Sequence, residues 1–354
     1  MVAQLALTGL LVALFPLALV WASKDQNKYR KLIAVTLFLT FDLIVFGAFT
    51  RLTDSGLGCP DWPGCYGQAN PFQAHSEIKA AEALMPTGPV TVMKAWIEMI
   101  HRYLAMAVGV LLTAQMCIAW WRRKSAKHTP WLATSMFVLV LIQGAFGAWT
   151  VTMKLQPVIV TIHLLLALAL LSLLVWAWRR EAEEPVYQPL CQPSSVMQML
   201  APLAFLVLIV QIALGGWVST NYAALACADY PTCGGVMLPK LDFEHAYTLW
   251  RELGRTASGE FIPFSALVTI HWVHRSFAWI AFALLALLAW LGQRDAATRS
   301  LSRWIVVLLC VQIGTGIATV YFSWPLALAV LHNAGASLLV LLLAMLNYRV
   351  RPRV

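Results

Sequence analysis

The sequence predicts an all-α polytopic membrane protein: two pseudo-symmetric four-helix transmembrane bundles preceded by one extra N-terminal transmembrane helix. Three observations predict it. The 354-residue chain is 60% hydrophobic and only 12% charged, half the roughly 25% charged share of a soluble domain. Nine apolar runs are long enough to cross a bilayer. The chain also repeats itself. Gly47 to Cys65 reads GAFTRLTDSGLGCPDWPGC and Gly215 to Cys233 reads GGWVSTNYAALACADYPTC, an offset of 168 that aligns Cys59 with Cys227 and Cys65 with Cys233. Such self-similarity marks a duplicated unit.

The runs lie at 3–22, 32–51, 94–121, 131–151, 157–178, 197–219, 263–291, 303–322 and 325–347. Each is read as a helix, because a span must satisfy its own backbone hydrogen bonds in lipid. The first run lacks a basic segment before it, and its charges follow it, so it reads as an uncleaved helix and not as a signal peptide. It has no counterpart in the second half. The predicted organisation is therefore residues 1–31 for the extra helix and a basic loop, 32–180 for the first bundle, 181–196 for a linker, 197–348 for the second bundle and 349–354 for a basic tail.

The net charge of +9 excludes little by itself, but its distribution argues against nucleic acid. Lys24, Lys28, Arg30 and Lys31; Arg122, Arg123, Lys124 and Lys127; Arg179 and Arg180; Arg294, Arg299 and Arg303; and Arg349, Arg351 and Arg353 hold 16 of the 25 Lys and Arg. All fall on one face if nine helices alternate, and the positive-inside rule makes that face cytoplasmic. The long loops 52–93 and 220–262 then lie outside. The 16 Trp suit interfacial belts in membrane lipid.

Four cysteines fall in those outer loops, where an oxidising compartment permits disulfides. Cys59 and Cys65 form one close pair, Cys227 and Cys233 the other. A structural staple, a redox-active pair and a zinc site are all readings of this pattern, with zinc disfavoured by the lack of His in register. Cys117, Cys191 and Cys310 have no evident partner.

The histidines carry the chemistry. His101, His163, His271, His274 and His332 lie in apolar helices, and ionisable groups there are costly and usually functional. His128, His75 and His245 fall in loops. Ile97 to Arg102 reads IEMIHR and Ile270 to Arg275 reads IHWVHR; Gln143 precedes His163, and Gln312 precedes His332, by the same twenty residues. Two imidazoles at one depth on neighbouring helices match the two axial positions of a haem iron. Isolated hydrogen-bonding histidines would not recur in register. A proton relay would need acids at several depths, and Glu98 alone is read as available. The Gly residues of Gln143 to Gly147 and Gln312 to Gly316 give space for a flat macrocycle or for close helix packing. Arg102 and Arg275 directly follow a histidine and Arg51 ends its helix, so all three are candidates for carboxylates of such a ligand. Glu98, three residues before His101 on the same helical face, has His271 as its counterpart, which marks a division of labour between the halves.

Over nearly all of 32–348 the chain resembles the haem A synthase family of bacterial inner membranes and mitochondria. Thr50 to Cys65 (TRLTDSGLGCPDWPGC), Glu98-xx-His101-Arg102, His274-Arg275 and the late His332 carry the resemblance. It implies eight core helices and oxidation of the C8 methyl of haem O to a formyl group, giving haem A for terminal oxidases. His101 and His163 would flank the substrate haem, His274 and His332 would ligate the iron of a resident haem b, and Glu98 would be the catalytic acid. Cys59–Cys65 and Cys227–Cys233 look like the family's outer-loop disulfides. The resemblance also implies haem O as substrate, an external electron donor that the sequence does not name, partnership with haem O synthase (protohaem farnesyltransferase), and an inner-membrane location with periplasmic cysteine loops and a cytoplasmic C-terminus. Oligomeric state is left open. The alternatives are a quinol-linked di-haem b cytochrome that only transfers electrons, and a secondary transporter, which the parallel sense of the repeat disfavours.

Overall fold

The computed structural model describes residues 1–124, 129–182 and 194–351. Lys127, His128, Cys191, Arg353, most of the predicted linker and half of the predicted basic tail lie outside the described residues. Among the described residues the ordered elements are helices: α1 Val2–Ala22, α2 Lys28–Leu52, α3 His75–Leu84, α4 Val92–Trp121, α5 Trp131–Thr152, α6 Pro157–Ala182, α7 Ser195–Thr220, α8 Phe243–Ala246, α9 Phe264–Gly292, α10 Arg299–Tyr321 and α11 Leu326–Val350. Nine of them, all but α3 and α8, are long and apolar enough to cross a membrane.

The helices outrun the apolar runs by up to a turn because polar caps extend them. Asn27 accepts from the Arg30 N–H at the start of α2 (2.9 Å), Thr91 from Lys94 before α4 (3.2 Å), and Ser194 from Met197 before α7 (3.3 Å). Each satisfies a first-turn donor that no carbonyl reaches. Pro157 opens α6, and Pro263 and Pro325 precede α9 and α11, where a missing N–H costs nothing. The short helices α3 and α8 were invisible to hydropathy, since they lie in the polar loops.

The chain divides into two compact units, Met1–Leu155 with Leu166–Ala182, and Gln156–Leu165 with Glu183–Val354. In the first unit α4 packs on α1, α2 and α5. The extra helix α1 is thus part of the unit. A Cβ at Gly9 would stand 2.9 Å from the Met106 Cβ, so glycine lets α1 and α4 touch, the way small residues drive packing where the hydrophobic effect is absent. Near its start, Leu5 is buried with Cys59, Cys65, Ala95 and Met99; at its far end, Val20 packs with Leu32 and Leu111. α1 therefore buttresses the first cysteine loop. In the second unit α7, α9, α10 and α11 close a ring, each packing on the next.

Candidate functional site

In the second unit, His274 of α9 and His332 of α11 share one design. A Cβ at Gly215 would lie 2.8 Å from the His274 Cε1, and one at Gly316 would lie 3.2 Å from the His332 Cε1. Each imidazole thus rests on helix backbone where only glycine leaves room. Each is also held at Nδ1. The Gln211 amide nitrogen lies 3.2 Å from the His274 Nδ1 and 3.3 Å from its carbonyl oxygen. The Thr315 Oγ1 lies 2.9 Å from the His332 Nδ1, and the Gln312 amide donates to the His332 carbonyl (2.8 Å). Both rings keep some accessible surface. Nδ1 has a polar neighbour on both rings, but the neighbours differ. The Thr315 hydroxyl can accept an Nδ1–H and leave the His332 Nε2 lone pair free, whereas the Gln211 amide nitrogen donates to the His274 Nδ1 and so puts that ring's proton on Nε2. The His332 Nε2 thus fits a haem iron as it stands, and the His274 Nε2 fits once the Gln211 amide is turned to accept from Nδ1.

In the first unit, α4 carries His101. A Cβ at Gly47 would lie 3.0 Å from the His101 Nε2, and the Phe46 ring stacks beside the imidazole with centroids 6.2 Å apart and planes at 19°. Gly47 is the repeat partner of Gly215, so the glycine seat is duplicated. The Nδ1 partners are not: Leu43 stands where the second half has Gln211, and Phe146 where it has Thr315. His163, on α6, falls in the stretch 156–165 that clusters with the second unit.

Glu98 is engaged on its loop side. One carboxylate oxygen accepts from the Cys59 N–H (2.8 Å) and the other from Arg102. Arg102 also donates to the carbonyls of Pro63 (3.2 Å) and Gly64. Gly58 lies against the backbone of Lys94 and Ala95 with no room for a side chain. In the second half His271 has the same post: its Nδ1 accepts from the Cys227 N–H (3.3 Å). Arg275 donates to the carbonyls of Asp229 (2.9 Å), Pro231 (3.2 Å) and Thr232 (3.1 Å) and covers the Tyr230 ring. The Glu98-to-His271 difference is therefore an exchange of one loop clamp for another, and the described bonds of Arg102 and Arg275 go to that clamp. Arg51 stands at the end of α2.

Both cysteine pairs are disulfide-bonded, with Cα atoms 4.9 and 4.7 Å apart. Each ring encloses an aspartate that gathers backbone N–H groups. Asp61 accepts from Tyr66 (2.6 Å) and Gly67 (2.7 Å), and Asp229 from Gly234 (2.7 Å) and Gly235 (2.9 Å). The Thr232 hydroxyl and those two amides hold the Asp229 carboxyl down at about 2, from an ordinary 3.8. A carboxylate with a depressed folded value stabilises the loop fully above its unfolded value and loses that contribution as pH falls through the folded one. Amide exchange at Gly234 and Gly235 is expected to stay slow from neutral pH down to about 4 and to accelerate towards about 2. D229N should lack that acid step.

Three relevant residues escaped the sequence reading. Asp42 is a second acid inside a span: it is exposed on α2, one turn from Phe46 on the same face, so Glu98 is not the sole acid there. It was legible as a charge in an apolar run. Gln211 and Thr315 were legible only by asking where the two halves differ. Among the described residues no group of three His, Cys, Asp or Glu gathers to hold a metal ion, which gives the zinc reading no support.

A duplicated helical membrane protein whose spans carry glycine-seated histidines, under paired disulfide loops, is the class that fold and site define. Residues 30–344 match the family model COX15-CtaA, described as cytochrome oxidase assembly protein. The chain is 43% identical over 323 residues to the heme A synthase of Shewanella oneidensis, covering 90% of this chain and 95% of that one. It is 31% identical to that of Rhizorhabdus wittichii, over 90% and 92% of the two chains, and 28% identical to that of Caulobacter vibrioides, over 90% and 96%. The chain belongs to this haem A synthase family.

Proposed function

We propose that the protein is a haem A synthase, an oxidoreductase that converts the C8 methyl of haem O to a formyl group. The observation that carries this reading is end-to-end similarity to proteins named for that activity. Two hydroxylations give a geminal diol, which loses water to leave the aldehyde. Each hydroxylation takes one dioxygen, two electrons from an external donor and two protons, and releases one water. A carrier that only moves electrons is not favoured, since relatives that match over more than nine-tenths of their length are named as a synthase.

His274 and His332 are the residues we assign to a resident haem b, supported by their glycine seats and Nδ1 contacts. That haem would supply one-electron redox chemistry. His101 and His163 are assigned to the substrate haem, and the Phe46 ring orients the His101 imidazole by stacking. Glu98, buried and ion-paired with Arg102, stands one helical turn from His101, and we assign it to stabilising positive charge that develops at the methyl carbon. Arg51, Arg102 and Arg275 are the propionate-binding candidates, Arg51 as the cation in the last turn of α2 and the other two as the cations that follow His101 and His274. The Lys and Arg clusters support cytoplasmic short loops and C-terminus, with periplasmic cysteine loops in a bacterial inner membrane. Haem O synthase is the source of substrate and so the expected partner.

The test is complementation. In a host that makes haem O but lacks its own synthase, the chain should cause haem A to appear in extracted membranes. Membranes that hold well-expressed protein yet contain haem O alone would contradict the proposal.

A further inference from the structure

The Thr315 hydroxyl has one proton and three neighbours. It lies 2.8 Å from the Val311 carbonyl oxygen, one turn back along α10, and 2.9 Å from the His332 Nδ1. The third neighbour is the Gln312 carbonyl oxygen at 3.2 Å, a second helix acceptor for that same proton. A hydroxyl is one donor and two acceptor lone pairs. The helix contacts and the His332 contact are hydrogen bonds at once only if the hydroxyl donates to the helix and accepts from an Nδ1–H on His332. That arrangement fixes the tautomer: the ring proton sits on Nδ1 and the lone pair on Nε2. The ring cannot pivot away, because Gly316 lies under its Cε1 and Gln312 ties down the His332 carbonyl. A Cβ at Gly335 would collide with the Gln312 amide, so that tie also depends on a glycine.

We infer that Thr315 is a positioning residue for the resident haem b, holding His332 as the Nε2 ligand and making its imidazole more basic through the Nδ1–H···Oγ1 hydrogen bond. This inference rests on the assignment of His332 as an axial ligand. A carboxylate or carbonyl usually takes this role behind a ligating imidazole, and loss of such a partner typically costs 10–100-fold in metal affinity. Here a threonine does so, by committing its own proton to the helix. The first half carries Phe146 at this position, whose ring has no acceptor for an imidazole N–H. The device therefore belongs to one half of the repeat, the half assigned to the permanently bound group.

A more basic imidazole favours ferric over ferrous iron, so removing the acceptor should raise the reduction potential. Thr315→Val keeps the shape and deletes the hydroxyl; Thr315→Ser keeps the hydroxyl and deletes the methyl. The experiment is a potentiometric titration of the low-spin haem b in the purified, haem-loaded protein, with haem b content per chain measured alongside. T315V is expected to shift the ferric-to-ferrous preference by about tenfold, or about 59 mV upward for one electron, and to lower haem retention. T315S is expected to match wild type in both. If T315V titrates at the wild-type potential and keeps wild-type haem content, the inference is overturned, as it is if T315S shifts as far as T315V. Wild-type protein that holds haem A or haem O but no six-coordinate low-spin haem b would overturn the ligand assignment itself and leave the synthase reading standing.

Discussion

Replacing His332 or His274 by alanine is expected to abolish binding of the low-spin haem b that we propose for the second unit. The two imidazoles are the donors that α9 and α11 present on glycine seats, each with Nδ1 already engaged. Removing an outer hydrogen-bond partner costs roughly 10–100-fold in metal affinity, and removing the ligating nitrogen itself should cost more. The vacated space does not heal readily: Gly215 and Gly316 have no side chain to fill it, and Gln211 or Thr315 would be left facing a cavity. Each single variant should therefore purify with haem b occupancy at least about a hundredfold below wild type, or with the remainder in a five-coordinate, high-spin form. A pyridine haemochrome assay and a reduced-minus-oxidised spectrum check both. His271→Ala, one turn away on the same helix, is the control. Its described bond goes to the Cys227 N–H, so it should keep the low-spin signal. If both His274→Ala and His332→Ala keep a full complement of low-spin haem b, the site lies elsewhere.

The second large effect is expected at Glu98, and it should exceed that at its repeat partner. Glu98 is 4% exposed and pairs with Arg102 across one helical turn while it accepts from the Cys59 N–H. Glu98→Ala strands a mostly buried guanidinium and a buried N–H together. Breaking a buried ion pair costs about 3–5 kcal/mol, and an orphaned donor about 1–3 kcal/mol; the two overlap, so about 4 kcal/mol is a fair central figure. His271→Ala removes one acceptor and no charge partner, since Arg275 is held by three loop carbonyls. Its cost should stay near 1–3 kcal/mol. Thermal denaturation should rank E98A well below H271A, and limited proteolysis should open the first cysteine loop in E98A alone. Glu98→Gln separates clamp from catalysis. It keeps an acceptor for Cys59 and loses the negative charge, so a folded E98Q with haem A output reduced at least about a hundredfold supports the charge-stabilising role. Wild-type output from a folded E98Q would leave Glu98 a loop clamp and nothing more.

How much was legible beforehand depended on which force set each feature. Helix positions were legible to within about one turn, because lipid imposes both length and composition: the run 131–151 became Trp131–Thr152, while 303–322 became Arg299–Tyr321. The remaining residues were supplied by polar caps such as Asn27, which hydropathy ignores. The place of α1 could not be read, since nothing in its sequence says that Gly9 meets Met106. The histidines were legible by register. Their orientation was not, because it comes from contacts across helices, such as Gln211 with His274, that pair residues far apart in the chain. The reading of Glu98 took in its helix and not its loop. An acid replaced by an imidazole looks like a change of chemistry, yet both serve as acceptors for a cysteine N–H at the mouth of a disulfide ring. Local sequence gave the residue types, and only the fold showed that the posts were the same.

The most direct test of the synthase reading is the haem inventory of the purified protein from cells that also make haem O, by extraction, chromatography and a reduced-minus-oxidised spectrum. The account predicts haem b together with haem O, its hydroxylated form or haem A in the same preparation. Haem b alone, at two per chain, would contradict it and make the protein an electron carrier.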